Sequence, residues 1–276
     1  MKRFVLSLSI LISSSFYNCN ENGVGFLPPV NNKYPSKLNT EWEYNTVMII
    51  EYYDSTGIIS EIDTMFSDNT IVRVVSTNDT LAEYSNLIKF ECHDLSNPVQ
   101  KSLNWYSNSD SGFISIAYSN AGATQPILPK LSGKRYLTLD EFLSITNSPT
   151  QNFFSVPDKV FSDSILYYEV PRKALAYPLT LNKRWVELIT PWYRERYVNR
   201  ITNISFNGQL VNCYEIKVDW PGFKNMELND FISLNYGLMK REFLADSIMI
   251  TTVTHPDSGD FAKISQISNL VRISNF

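Results

Sequence analysis

The imidazole and thiol groups of this 276-residue sequence are few: His93 and His255, and Cys19, Cys92 and Cys213. A zinc site or an acid–base pair needs such groups at ligand spacing or brought together by the fold. His93 stands beside Asp94 at an expected strand end, and His255 sits in a turn with Asp257 and Asp260. No His-Glu-x-x-His run and no cysteine pair at metal spacing joins them. Serine is abundant, yet no Gly-x-Ser-x-Gly elbow or Ser-x-x-Lys nucleophile stands in a matching context. Ser132-Gly133-Lys134 lacks the upstream glycine of a phosphate loop. Asp257-Ser258-Gly259-Asp260 has too few oxygen ligands for a calcium loop and reads as a hairpin turn. The sequence therefore predicts no catalytic residues, no metal and no cofactor. Cys92 and Cys213 are candidates for one disulfide or for two buried thiols, and spacing alone does not choose between them.

Aromatic side chains are the richer resource, at 13% of residues. They come in adjacent pairs: Tyr52-Tyr53, Trp105-Tyr106, Phe153-Phe154, Tyr167-Tyr168 and Trp192-Tyr193. Neighbours on a strand point to opposite faces, so one of each pair can enter a core while the other faces out. Tyr53, Trp105, Tyr168 and Trp192 are the candidates to line a groove for an apolar or glycan ligand. The competing expectation is that a second layer, including residues 119–176, covers them.

Charged residues are 19% of the chain and the formal net charge is −4, which excludes the basic footprint of a nucleic-acid binder and a polybasic membrane patch. The N-terminus implies a membrane partner of another kind. Lys2-Arg3 is a short basic region, and Phe4 to Ile12 is an apolar run too short to span a bilayer. Small polar residues then lead to Cys19, a layout that resembles a bacterial lipoprotein signal. The resemblance implies a signal peptide over 1–18, a lipid on Cys19 and an exported, envelope-anchored chain. Residues 19–33, with Gly23, Gly25 and Pro28-Pro29, read as an extended tether.

The elements beyond the tether are strands. Glu43 to Tyr53, Ile58 to Phe66, Thr70 to Ser76, Leu81 to Cys92, Leu103 to Tyr106 and Phe113 to Tyr118 are β-branched or aromatic runs separated by turn residues, with turns expected at Asp54–Gly57 and Asn78-Asp79. Tyr193 to Phe206 and Leu210 to Val218 flank Asn207-Gly208, the strongest hairpin turn in the chain. A last hairpin joins Ile248–Thr254 to Phe261–Ile273. Between these groups, Thr138-x-x-Glu141 forms a capping box for one short helix over Leu139–Thr146, and Asp163 to Val170 reads as a strand.

One phrase occurs twice. Tyr34-Pro35-Ser36-Lys37-Leu38-Asn39-Thr40-Glu41-Trp42 returns as Tyr177-Pro178-Leu179-Thr180-Leu181-Asn182-Lys183-Arg184-Trp185, shifted by 177 − 34 = 143 residues and identical at Tyr, Pro, Leu, Asn and Trp. Later features follow in the same order. Ile88-Lys89-Phe90-Glu91 aligns with Ile216-Lys217-Val218-Asp219, and Asn104–Ile114 with Asp230–Met239. The organisation predicted is a first β-module over 34–125, a connecting segment over 126–163 with the short helix, and a second β-module over 164–276. Trp42 and Trp185 are expected to anchor equivalent buried sites, each removing about 150–250 Å² from water.

The second phrase, with Arg200-Ile201-Thr202, Cys213-Tyr214-Glu215-Ile216 and Tyr236-Gly237-Leu238-Met239-Lys240-Arg241-Glu242, resembles a module of uncharacterised bacterial lipoproteins. In those a Pro…Gly-x-x-Trp opening precedes a strand pair and a closing Gly-Leu-Val-Lys-x-Glu strand. Asn182 stands here where glycine is usual, and Met239 where valine is usual. The resemblance implies a mainly β fold of antiparallel sheets, half-barrel or sandwich-like, in the cell envelope. Two functions fit: a non-catalytic scaffold with a protein partner, or a carrier for an apolar, lipid-like ligand in a half-open barrel.

Overall fold

The computed structural model describes residues 32–66, 69–119, 134–135, 165–189, 193–221, 225–252 and 260–276. The signal segment, Cys19, most of the tether, the short helix over 139–146, Trp192 and the His255 turn lie outside them. The first group of strands is β1 (Glu41–Tyr53), β2 (Ile59–Phe66), β3 (Thr70–Leu81), β4 (Tyr84–Asp94), β5 (Asn97–Ser109) and β6 (Gly112–Ser119). After the two-residue β7 (Lys134–Arg135) and β8 (Ile165–Leu175) come β9 (Arg184–Leu188), β10 (Arg194–Phe206), β11 (Gln209–Asp219), β12 (Met226–Ser233), β13 (Gly237–Thr252) and β14 (Asp260–Ser274).

All of them join one antiparallel sheet in the order β8-β6-β5-β4-β3-β1-β14-β13-β12-β11-β10-β9, with β2 on β1 and β7 on the end of β13. The two ends of this path, β8 and β9, come back together, so the sheet is nearly closed as a barrel. Closure at that seam is by side chains. The Trp185 indole on β9 donates to the Lys173 carbonyl on β8 at 3.0 Å, and Arg172 on β8 meets Glu187 on β9. The expected fold class is thus what the chain forms, with both groups of strands sharing one sheet.

Strict alternation builds the wall. Along β1, Trp42, Tyr44, Thr46, Met48, Ile50 and Tyr52 are buried, while the residues between them are partly exposed. The Asn207-Gly208 reversal has both residues at positive φ, 50° and 77°, as a tight hairpin turn requires. The turn expected at Asn78-Asp79 falls later, at Ala82-Glu83. The reason is local: Asp79 stays in a bulged β3, where it accepts the Trp105 indole at 2.9 Å.

Two apolar layers fill the described interior. The first holds Tyr34, Trp42, Tyr44, Phe90, Tyr106, Phe113, Trp185, Ile216, Ile232 and Met239 among others. Its rings interlock: Phe113 stacks on Tyr106 at 4.4 Å and on Tyr34 at 4.8 Å, and Phe90 meets Tyr106 edge-on at 5.3 Å. The second layer holds Met48, Ile50, Tyr52, Leu228, Phe243, Ala245 and Ile264.

Both copies of the repeated phrase lie at the first layer. Asn39 and Asn182 take positive φ, 66° and 63°. Asn39 donates its amide to Val74 O and Asn182 to Val198 O, each at 2.9 Å. Val74 N returns to Thr40 O and Val198 N to Lys183 O, each at 3.0 Å. The phrases also touch: the Tyr34 amide donates to the Tyr177 hydroxyl at 2.7 Å.

Candidate functional site

Between the two apolar layers, the same inward parity that carries aromatics above and aliphatics below carries polar groups. On β1, Thr46 separates Tyr44 from Met48, and on β14 Ser268 and Gln266 separate Leu270 from Ile264. Arg241 lies between Met239 and Phe243 on β13, and Asp230 between Ile232 and Leu228 on β12. Register continues the row around the wall: Thr46 opposite Ser268, Ser268 opposite Arg241, Arg241 opposite Asp230, and at the seam Arg172 opposite Ser115. Asn104 and Ser102 on β5 extend it. All of these side chains belong to residues at most 3% exposed.

Half of the belt is ionic and continuous. Glu187 Oε1 accepts Nε and Nη2 of Arg172 at 3.0 and 2.9 Å, and Nη2 of Arg194 at 3.2 Å. Its Oε2 faces the Nε atoms of Arg194 and Arg196, both at 2.8 Å, as ionic contacts whose N–H directions miss the oxygen. Arg196 then reaches Asp230 Oδ2 through Nη1 at 2.8 Å, and Arg241 grips the same carboxylate through Nη2 at 2.7 Å and Nε. One chain of charge therefore runs Arg172–Glu187–Arg194/Arg196–Asp230–Arg241 across β8, β9, β10, β12 and β13. Desolvation by itself would raise the Asp230 carboxyl; Arg241 and Arg196 overcome it and hold it below its usual range.

Such a chain positions the strands that it links. Burying ions costs several kcal/mol each before their attraction offsets it, so the arrangement fixes geometry more than it adds net stability. Guanidinium groups do not shed their protons, so none of the four can act as a base. Burial likewise pushes the tyrosine hydroxyls of the upper layer up, Tyr34, Tyr44 and Tyr106 alike, and keeps them neutral.

The predicted site residues go to separate places. Trp42 is fully buried and Trp185 is 7% exposed, both in the upper layer, with indoles donating to Tyr236 O at 2.6 Å and Lys173 O at 3.0 Å. Tyr53 ends β1 and donates to Asp246 Oδ1 at 2.8 Å. Trp105 is buried in a small cluster with Leu87, Ile116 and Ala117, under Leu81 and Tyr84. Tyr168 packs on Tyr118 at 5.4 Å. The described members of the expected aromatic set thus have different neighbours. Cys92 and Cys213 are buried thiols that are not joined in a disulfide, and burial pushes Cys213 up to about 12. Among the described residues, no group of three or more His, Cys, Asp or Glu side chains could hold a metal.

A surface groove of about 740 Å³ opens near the start of the first strand, lined by Lys33, Lys37, Thr40, Asn86, Asn108 and Phe276 among others. Its lysines are engaged: Lys33 with Asp110 at 2.6 Å and Lys37 with the Phe276 carbonyl at 2.9 Å. The belt was missed in the sequence, although a signal existed: Met239-x-Arg241-x-Phe243 and Leu228-x-Asp230-x-Ile232 each place a charge at the centre of an apolar parity.

Fold and site together define a nearly closed antiparallel β-barrel with a charged belt inside it. No protein-family model and no curated protein matches the chain. Among solved structures it is similar to a "putative lipoprotein" from Parabacteroides distasonis, at 12% identity and a TM-score of 0.32, over 87% of this chain and 97% of that one. It is also similar to a "putative exported protein with YmcC-like fold" from Bacteroides fragilis, at 11% identity and a TM-score of 0.35, over 89% of this chain and 100% of that one.

Proposed function

We propose that this chain is a non-catalytic cell-envelope lipoprotein, exported by residues 1–18, anchored through lipid on Cys19, held off the membrane by 19–33, and acting as an interaction scaffold through the outside of its barrel. The observation that carries this reading is the belt. An apolar ligand in the described interior would lie against four buried guanidinium groups, which fits a carrier poorly. The outside, in contrast, offers binding features: Ile58, Ile59 and Ile62 stand 52–66% exposed at the β1–β2 hairpin, where β2 pairs with β1 alone among the described residues. We also read the barrel as two descendants of one six-strand unit, β1-β3-β4-β5-β6-β8 and β9-β10-β11-β12-β13-β14. The paired Asn39 and Asn182 turns support that reading, as do Trp42 and Trp185, each three residues beyond its asparagine and buried in the same layer.

Native mass spectrometry of the full chain after gentle detergent extraction tests the scaffold against the carrier. The expected spectrum is one species at the polypeptide mass plus covalent lipid, reduced to the bare polypeptide by Cys19→Ser. A stoichiometric non-covalent lipid that persists in Cys19→Ser would replace the scaffold with the carrier.

A further inference from the structure

We infer that the surface groove near the start of β1 binds a short neutral oligosaccharide through Thr77, Asn86 and the ring of Phe276, independently of the partner that the outside of the barrel holds. The first ground is that local breaks in one ladder build the groove. Pairing of β3 with β4 loses register between Val74 and Ser76, between Ser76 and Asp79, and between Asp79 and Leu81. The β10–β11 hairpin of the same barrel runs in unbroken register from Arg200 opposite Glu215 to Phe206 opposite Gln209, so the architecture does not require such breaks. One break takes Thr77 and Asn78 out of the pairing, and another leaves Ser85 and Asn86 between Tyr84 and Leu87. Asn86 there takes φ 57° inside β4. Bulges re-aim side chains, and a non-glycine residue held at positive φ within a strand points to a local use. The Trp105 contact accounts for Asp79 and engages neither Thr77 nor Asn86. Both of these line the groove and are exposed, and neither side chain has a hydrogen bond among the described residues.

The second ground is the chemistry of the walls. Among the described residues no Asp or Glu lines the groove, so a cationic ligand finds no counter-ion there. Its two ammonium groups are held, Lys33 by Asp110 and Lys37 by the Phe276 carbonyl. What remains for a ligand is the Asn86 amide and the Thr77 hydroxyl, each able to donate and to accept. Asn108 makes the wall beside them firm, since its Nδ2 donates to the Tyr34 carbonyl at 2.8 Å and its Oδ1 accepts the Tyr177 hydroxyl at 3.1 Å. Phe276 adds a flat apolar face: its ring stacks on Tyr236 at 5.4 Å and 11°, while the residue stays 49% exposed. A saccharide matches this set, because its hydroxyls donate and accept in turn while the C–H face of its ring is apolar. A volume of about 740 Å³ lies within the range of about 300–1,000 Å³ usual for small-molecule sites.

The experiment is saturation-transfer NMR on the full chain in detergent, with maltotriose, cellotriose and tri-N-acetylchitotriose as separate probes. At least one probe is expected to receive saturation, strongest at the C–H protons of one sugar ring, and to do so saturably as its concentration rises. Asn86→Gly keeps the positive φ and removes only the side chain, and should raise half-saturation about fivefold. Phe276→Ala removes the flat face and should raise it by about three- to tenfold. Val99→Ser, at an exposed position near the β4–β5 turn, should leave it unchanged. All three are surface positions, so the variants should keep the parent's Tm within a few degrees, which separates lost binding from lost folding. No transfer to any of the three probes, or transfer that Asn86→Gly and Phe276→Ala leave as strong as in the parent, overturns the site.

Discussion

Replacing Glu187 by glutamine is expected to destabilise the barrel by about 3–5 kcal/mol. The shape of the side chain is kept, so no cavity contributes. What changes is that Arg172, Arg194 and Arg196 lose their shared counter-ion in a place that water does not reach, since the Glu187 side chain is 0% exposed. For a chain of this size the loss corresponds to roughly 6–20 °C in Tm, a large part of the 5–15 kcal/mol that ordinarily holds a domain folded. Because Glu187 also ties β9 to Arg172 of β8, the seam should loosen first. Hydrogen exchange checks this: amides of β8 and β9 should lose protection before those of the β1–β14 ladder. A loss below about 1 kcal/mol would mean that the side chain is reached by water in solution, as exposed ion pairs are.

Trp42→Ala is expected to cost a comparable 3–5 kcal/mol, by a different route. The indole is fully buried, lies 6.3 Å from the Tyr34 ring and 6.1 Å from Phe90, and donates to the Tyr236 carbonyl. Removal empties the top of the upper layer and leaves that carbonyl unbonded. Gly237 sharpens the point: a Cβ there would stand 2.9 Å from the Tyr34 hydroxyl and 3.1 Å from Trp42 Nε1, so the glycine exists to let the ring approach. Trp185→Ala should fall in the same range, since its indole closes the seam on Lys173. The measurement is the shift in denaturant midpoint at unchanged m-value; a shift under about 1 kcal/mol for either would contradict the anchoring role.

The strands were legible because their cause is local. Alternation along β1 and the Asn207-Gly208 turn need nothing beyond neighbouring residues to be read. The belt was legible only in part: Arg241 and Asp230 stand between apolar residues of their own parity, whereas Arg194 and Arg196 alternate with Glu195 and Tyr197, and no neighbour decides which parity faces inward. Arg194 and Arg196 point inward only because Glu187 and Asp230, from other strands, stand ready to meet them. Pairing the two copies had a related weakness. Matching Ile88-Lys89-Phe90-Glu91 to Ile216-Lys217-Val218-Asp219 is displaced by two residues, for the ladders set Phe90 in the place of Ile216. A slip of two keeps every side chain on its own face, so alternation cannot detect it.

The pair Trp105-Tyr106 shows how far alternation carries. Trp105 and Tyr106 do face opposite sides, as strand geometry demands. The outward member is nevertheless covered, because the bulged end of β3 brings Leu81 and Asp79 over it. Coverage of that kind depends on a hairpin folding back, which periodicity does not encode.

The claim most exposed to test is that six buried charges on five strands act as one chain. Glu187 on β9 and Asp230 on β12 are not neighbours in the sheet, and among the described residues they are linked through Arg196, whose Nε faces one and whose Nη1 bonds the other. A double-mutant cycle of Glu187→Gln and Asp230→Asn, read by equilibrium unfolding, measures that link directly. The expected result is an interaction energy of about 1–3 kcal/mol between the two sites. Strict additivity, within about 0.3–0.5 kcal/mol, would contradict a continuous chain and leave two separate ion pairs.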